Sequence, residues 1–590
     1  MKRNSFKRVL AVVLSLIMIM SLSACGEKTT PTDAPKATDA TKATDAPKDT
    51  EAAEFDPRSI TEGVTLTVAV PDHARITDYN TNDTTLMVEE ALGVDLVFEA
   101  YASADYLDKL NVMVNGGDKL PDIIMANGGF KEMQVLDWAS KGALAELSEY
   151  YANPDYAKYI TEGSEHINRD IAGLLKDYEG NIWVLPHFTV SETDEVPTKL
   201  WIDKEYAAKL GYNEMPTTVE GFYELCKAFK AAGDMNGNGL DDEVAFAGST
   251  SDIKWFQFLM SGFVRAWDDY YLNVENGELE FAYMTDEWKE GLKFIKKFFD
   301  EGIIDTTILT NDSAAQRAIV RSSEFRQLAE FGYNASTNYS SGTVIFNNSR
   351  CRYDYVVGFE NSKGVVEAKY VPNQPKYNAV ISADCENPLA AFIVLDYYCR
   401  EDISITWRYG GQGIDWDYWE DLDESKLPEG ITKEEIRPRS DEFDAPIFYQ
   451  YNGGSFVSET DPQNRSYMHT GPRILASELY WAIGMDADMS TDVGKATVAW
   501  WELYGNSIFD SLDAVPDESI VRLIMSVDEN KAASEIQGNL NSYVKESIGA
   551  FLTGEWDIDG YWDTFIGELE KMGANDALEL YQTAYNRSIK

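Results

Sequence analysis

The densest run of hard oxygen ligands in the sequence is Asp234-Met235-Asn236-Gly237-Asn238-Gly239-Leu240-Asp241-Asp242-Glu243. Counted from Asp234, oxygen-bearing side chains stand at positions 1, 3 and 5 and glycine at position 6, which matches the first half of an EF-hand loop. A tight loop turns every second side chain toward one centre. Gly239 permits the bend, and Leu240 can offer its carbonyl. Such a loop suits Ca²⁺, which takes six to eight oxygens at about 2.3–2.6 Å. The closing end departs from the EF-hand, because the acids are Asp242 and Glu243 at positions 9 and 10 and position 12 holds no Glu. A structural calcium site is therefore expected, without the helix opening of a sensor. The alternative is an Asn/Asp/Gly-rich turn that holds no metal.

Other chemistry is scarcer. Only four histidines occur, His73, His166, His187 and His469, with no two close in sequence, which leaves little material for an imidazole zinc site or general-base relay. Catalysis, if present, would rest on carboxylates. Aromatics make up 12% of residues, with 14 Trp and 33 Tyr, and exposed rings suit stacking on flat apolar ligand faces. A sugar offers such faces with a rim of hydroxyls, and the stretch WRYGGQGIDWDYWED (407–421) supplies rings beside polar groups. Trp407, Arg408, Trp416, Tyr418 and Trp419 are read as a Gly-containing loop that forms part of a ligand cleft. Trp183, Trp201, Trp255 and Trp267 are further candidates, each with core filling as the alternative. Arg465 and Arg473 could pair with an acidic sugar or lie on the solvated surface.

The elements that would position these groups begin at Val64. The strands TLTVAV (65–70), VDLVFEAY (94–101) and DIIMA (122–126) alternate with helical stretches at 84–93 and 105–117, a βαβαβ pattern. Such a unit implies a parallel sheet with right-handed crossovers, and ligands lie beyond the carboxyl ends of its strands. Asn127, directly after DIIMA, is a binding candidate on that ground, with a plain turn as the alternative. The helix ahead of the acidic loop starts with Thr217 and Glu220 at capping-box spacing and carries the stripe Phe222, Leu225 and Phe229. In 286–305, Trp288, Leu292, Ile295 and Phe299 form one apolar face. Asn387-Pro388 opens another helix with Cys385 before it and Cys399 near its end, too far apart for a disulfide. Cys226, Cys351, Cys385 and Cys399 are read as buried thiols.

The chain has 590 residues, enough for several lobes, with 44% hydrophobic and 26% charged residues as in ordinary folded proteins. Acids outnumber bases 100 to 51, a formal charge of −49, which argues against nucleic-acid binding and anionic lipid surfaces. The N-terminus carries Lys2, Arg3, Lys7 and Arg8, then the apolar run VLAVVLSLIMIMSLSA ending just before Cys25, an export signal. No later stretch is apolar enough to cross a bilayer. The segment after Cys25 repeats TDAPK and is almost free of large apolar residues, so it reads as a flexible tether. The expected organisation is a signal peptide over 1–24, a tether over 25–58 and a two-lobe domain over 59–590 with lobes interleaved in sequence.

Leu22-Ser23-Ala24-Cys25 resembles the bacterial lipobox, which implies diacylation of Cys25. Further stretches, among them DKLPDIIMANGG (118–129), GNIWVLPHF (180–188), LGYNEMPTTVEGFYELCKAFKAAGDMNGNGLDDE (210–243) and ISADCENPLAAFIVLDYY (381–398), together resemble the extracellular solute-binding lipoproteins of bacterial ABC importers, family 1, of the calcium-containing alginate-oligosaccharide-binding type. The resemblance implies a periplasmic-binding-protein-like α/β fold, with two lobes joined by hinge strands around a cleft. It implies Ca²⁺ ligands at Asp234, Asn236, Asn238, Leu240 through its carbonyl, Asp242 and Glu243. The implied activity is non-catalytic: a lipid-anchored monomer on the extracytoplasmic face of the membrane binds an oligosaccharide and passes it to importer permease subunits. The alternatives are a surface-anchored glycoside hydrolase or polysaccharide lyase and a peptide-binding lipoprotein or adhesin. Two carboxyls about 5 Å apart would be required of a retaining hydrolase.

Overall fold

The computed structural model describes residues 55–250, 253–267, 270–321, 326–333, 352–427, 432–436, 448–451, 462–468, 470–475 and 492–589. The chain divides into Met1–Phe55 and Asp56–Lys590. Cys25, the signal peptide, the tether up to residue 54, Cys351 and His469 lie outside the described residues.

In chain order the strands are β1 (Thr65–Pro71), β2 (Asp95–Tyr101), β3 (Ile123–Phe130), β4 (Leu185–Thr189), β5 (Lys199–Asp203), β6 (Leu272–Glu275), β7 (Glu278–Phe281), β8 (Ala329–Gly332), β9 (Tyr353–Val356), β10 (Lys376–Ile381), β11 (Trp416–Tyr418), β12 (Phe448–Gln450) and β13 (Arg473–Leu475). The first lobe is built on a sheet of order β13-β4-β10-β3-β1-β2. Its βαβαβ start is as the sequence implies: helices Asp83–Leu92 and Tyr106–Gly116 follow β1 and β2, and β1 runs parallel to both β2 and β3. The sheet is nevertheless mixed, because β10 runs antiparallel to β3 and β4. The reason is connectivity. β4 carries the chain out toward the second lobe, and β10 brings it back through the same edge, so the two must oppose.

β2 is the outer strand, and its free amides are capped locally. Leu96 donates its N–H to Glu89 Oε1 (2.9 Å) and Phe98 donates its N–H to Asn80 Oδ1 (2.8 Å). Side chains thereby occupy donors that would otherwise recruit a foreign strand.

The second lobe is built on the three strands β8-β5-β9, with β5 antiparallel to both neighbours. One face of β5, Leu200 and Ile202, joins the main core with helices Val219–Ala232, Lys254–Met260 and Asp286–Asp300 and the C-terminal helices Val527–Thr553, Ile558–Lys571 and Ala574–Ser588. The opposite face, through Trp201 and Tyr353, packs on helix Asp492–Asp513 through Trp500, Tyr504 and Ile508.

Two local expectations shift by one residue. Helix Val219–Ala232 is capped by Thr218, whose side chain accepts from Gly221 N–H, rather than by Thr217. Thr217 is held outside the helix because its carbonyl accepts from Glu360 N–H (2.9 Å). On helix Asp286–Asp300 the buried stripe ends at Phe298, wedged against Phe222 and Tyr223, while Phe299 is only half-buried. Cys226, Cys385 and Cys399 are buried free thiols.

Lys199, the first residue of β5, is fully buried, and its Nζ donates to the carbonyl of Val196 (2.6 Å). Desolvation lowers its pKa from 10.5 to about 7. Between those values the unfolded chain binds more protons than the folded one, so this residue makes stability rise with pH across that window. Lys199→Met is expected to stabilise the fold more at pH 7 than at pH 10, as read from urea midpoints. An equal effect at both pH values would contradict the assignment.

Candidate functional site

The carboxyl ends of β1, β2, β3, β4 and β13 all lie on one edge of the first sheet, since β10 alone runs against them. The same edge receives β10 from 357–375 and releases β4 into 190–198. In the second lobe β8 and β9 run against β5, whose first residue follows that crossing. Their carboxyl ends, Gly332 and Val356, therefore lie at the hinge end of their sheet. The carboxyl edge of the first sheet and the carboxyl ends of β8 and β9 thus both lie at the crossing end of their sheets, and open α/β sheets place ligands beyond the carboxyl ends of their strands.

On the first lobe the edge is interrupted by a bulge. Met125 pairs with Ala379 and Phe130 with Tyr377, so Asn127, Gly128 and Gly129 fall within the extra residues on β3 and are pushed out of the ladder. Gly128 and Gly129 take φ of 83° and 99°, which side chains rarely adopt. Asn127 is exposed at the crest and bridges to Thr470, and Gly471 donates its N–H to the carbonyl of Ala126 (3.2 Å). Gly471 has φ of 103°, and a Cβ there would sit 2.2 Å from the Trp407 ring and 2.9 Å from Met125 Sδ.

The crossing segments are tied by buried polar groups. Glu195 is 4% exposed; its Oε1 accepts from Arg169 (2.8 Å) and from Asn373 N–H (3.1 Å), and its carbonyl accepts from Val371 N–H (2.7 Å). Asn373 also donates its side-chain amide to Ser191 O (3.0 Å). Arg522 donates to the carbonyls of Leu174 (2.9 Å) and Lys176 (2.8 Å), to Tyr377 Oη (2.6 Å) and to Glu132. At the sheet edge Arg473 Nε donates to His187 Nε2 (2.9 Å), and His187 Nδ1 faces the Asn378 amide at 3.4 Å. Because an arginine can only donate, Nε2 must be the acceptor, which leaves the proton of neutral His187 on Nδ1. Asn378 then satisfies it through Oδ1, the other amide orientation.

The ring-bearing stretch 407–421 is distributed differently from the loop expected. Trp407, Arg408 and Tyr409 end helix Glu401–Tyr409, and Trp416 and Tyr418 lie in β11. Trp407 is fully buried against Tyr398 and Tyr467, with ring centroids at 4.4 and 4.5 Å. Trp416 is fully buried and donates its Nε1–H to Gly410 O (2.8 Å). Arg408 is half-buried over the Tyr409 ring, Tyr418 donates its hydroxyl to Glu401 (3.2 Å), and Lys433 lies over the half-buried Trp419. Trp201, Trp255 and Trp267 are all buried, and the half-buried Trp183 donates to Asp177 (2.9 Å). Arg465 is forked onto Asp415 at 2.7 and 2.9 Å, and Arg473 is buried. Of the candidates, Asn127 is the one brought to the exposed crest of the carboxyl edge. The rings are drawn inward because their area is worth more in packing than in water. The sequence reading did not single out Tyr333, half-buried directly after β8, or Tyr370, half-buried on the second crossing. The strand-end rule that pointed to Asn127 would have found Tyr333 had the short β8 been recognised.

The acidic loop folds onto its own amides. Asp234 Oδ1 accepts from Gly237 and Asn238 N–H (2.8 and 3.0 Å) and Oδ2 from Gly239 N–H (2.8 Å). Asn236 and Asn238 accept from the N–H groups of Asn238 and Leu240. Glu243 Oε1 accepts from Met235 and Asn236 N–H (2.7 and 2.9 Å), while its buried Oε2 has no partner. Asp242 pairs with Arg326 at 3.4 Å. Among the described residues no three Asp, Glu, His or Cys converge as a metal cluster.

Comparison with known proteins shows what the chain is similar to. Residues 86–324 match the family described as bacterial extracellular solute-binding protein. The chain resembles these solute-binding proteins over that stretch, less than half of its length. It is 24% identical over 522 residues, 85% of this chain and 86% of the relative, to the fructooligosaccharide ABC transporter substrate-binding protein FusA of Streptococcus pneumoniae serotype 4. It is 25% identical over 288 residues, 47% of this chain and 52% of the relative, to lipoprotein LipO of Bacillus subtilis strain 168. Among solved structures it resembles S. pneumoniae FusA in complex with kestose (TM-score 0.60, 21% identity, 89% of this chain and 99% of that one). It also resembles an extracellular solute-binding protein from Bifidobacterium longum subsp. infantis (0.64, 18%, 90% and 100%) and the alginate-binding protein AlgQ2 without calcium ion (0.55, 17%, 91% and 100%). These likenesses establish a periplasmic-binding-protein-like fold. FusA, the Bifidobacterium protein and AlgQ2 are described as binding proteins.

The bulge gives a direct test of the edge geometry. Gly471→Ala combines a left-handed φ with overpacking against Trp407, and should destabilise the fold by about 1–3 kcal/mol in urea denaturation. Unchanged stability would show that the segment at Thr470 does not pack as described.

Proposed function

We propose that the chain is a lipid-anchored receptor on the extracytoplasmic face of a bacterial membrane. It binds an oligosaccharide between its lobes and passes it, chemically unaltered, to the permease subunits of an ABC importer. The observation that carries this reading is the alignment with FusA, which runs through both lobes and nearly the whole of each chain. The geometry supports it, since the carboxyl ends of both sheets lie toward one hinge region. The export signal and Cys25 supply the anchor, in keeping with the lipoprotein LipO. Durable attachment needs two acyl chains, each adding about 0.8 kcal/mol per buried CH₂. Asn127 on its bulge is proposed as a ligand contact on the first lobe, and the receptor works as a monomer.

Titration calorimetry with kestose, nystose, maltotriose and alginate oligosaccharides is expected to give saturable binding for one or more. A ligand at about 100 times its Kd should add about 2.7 kcal/mol of stability. Binding of a peptide pool with no response to any glycan would overturn the assignment.

We further propose that 234–243 holds a structural Ca²⁺ through Asp234, Asn236, Asn238, the Leu240 carbonyl, Asp242 and Glu243. The residues present fit the ion, because Glu243 buries a carboxylate oxygen without a partner and Gly237 and Gly239 take the positive φ of a tight cation loop. FusA is also known as an EF-hand mutant in complex with fructo-nystose. When bound, the ion would neutralise the loop carboxylates and fix the end of helix Val219–Ala232. Calcium should raise the melting temperature of the wild type reversibly with chelator, and Asp234→Ala should abolish that response. A calcium-independent wild type would refute the site.

A further inference from the structure

Topology singles out one residue on the second lobe. Asn127 directly follows the apolar core of β3, and Tyr333 directly follows β8 at the corresponding carboxyl end of the second sheet. Gly332 pairs with Lys199, the first residue after the crossing, so Tyr333 stands at the hinge end and not at the far end. The ring is half-buried and is backed from behind. Its centroid lies 6.0 Å from that of Tyr504; Tyr504 stacks on Trp500 at 5.6 Å with planes 23° apart; and Trp500 meets Trp201 at 5.4 Å. Trp500 and Tyr504 are held on helix Asp492–Asp513, and Trp201 is fully buried in β5. A ring seated on such a row loses little freedom when a ligand covers it, so its area goes into affinity instead of ordering.

We propose that Tyr333 is the stacking face of the second lobe for an apolar face of a sugar ring, with the row Tyr504, Trp500 and Trp201 as its rigid backing. This rests on the oligosaccharide reading above. It also assigns the inward row a role: Trp201, which the sequence offered as a stacking surface, helps to hold the platform instead of forming it.

The test uses the full folded chain, titrated with kestose, nystose, maltotriose and alginate oligosaccharides by calorimetry and by tryptophan fluorescence. In the wild type, the sugar that binds should change Trp emission, since Trp500 lies two rings behind the platform. Tyr333→Ala should raise Kd for that sugar about tenfold and abolish the emission change, while Tyr333→Phe should stay within about threefold, because the ring face and not the hydroxyl does the stacking. Both variants should bind with the wild-type stoichiometry and show a similar circular-dichroism spectrum. Unchanged Kd in Tyr333→Ala, with sugar binding intact in the wild type, overturns this inference and leaves the receptor reading standing. Equal losses in Ala and Phe would assign the contact to the hydroxyl and likewise overturn it. A wild type that binds no glycan removes both.

Discussion

The arrangement depends on one buried carboxylate. Glu195 sits on the first crossing, accepts a charge-assisted bond from Arg169 of the first lobe, and holds the second crossing through both its side chain and its own carbonyl. A carboxylate at 4% exposure is costly to desolvate, and it is retained only where charged and hydrogen-bonding partners offset that cost. Here the match comes from segments far apart in sequence, so the crossings can be laid side by side in only one register. Arg522 makes an equivalent tie from 514–526 to the first lobe, with backbone carbonyls as acceptors.

From that seam follows the direction of every strand that matters. β10 must oppose β3 and β4 because it returns from the second lobe, and β8 and β9 must oppose β5 because it enters there. The result is that both carboxyl edges look at the same region. The sheet edges then differ in how they present polar groups: the first lobe displays backbone and Asn127 on a glycine bulge, and the second displays a tyrosine on a packed aromatic row. A cavity of about 410 Å³ near Arg265, Asn273, Glu280 and Lys363 borders segment 357–375 through Lys363 and Glu367, and its cations are already committed, Arg265 to Glu367 and Lys363 to Glu275.

Much of this was legible in the order of residues, and the parts that were not share a cause. The βαβαβ start, the helix start at Asn387-Pro388 and the thiols at Cys226, Cys385 and Cys399 follow from local period and local turn chemistry. The calcium-type loop is likewise a matter of spacing within ten residues. The misplaced features are all aromatic or all tertiary. Trp407 and Trp416 looked available because they neighbour glycines and acids, yet each is enclosed by segments over 30 residues away, Tyr467 and Phe448 respectively.

The chain order by itself therefore determined the fold class and carries the oxygen pattern of 234–243, because both rest on neighbours within one or two turns of chain. Only the folded molecule decided which rings face inward, that β10 reverses the sheet, and that Asn127 and Tyr333 stand on edges facing one seam. Those outcomes depend on burial and on pairing between distant segments, and the enclosure of a side chain is a property of what packs over it, which no local spacing records.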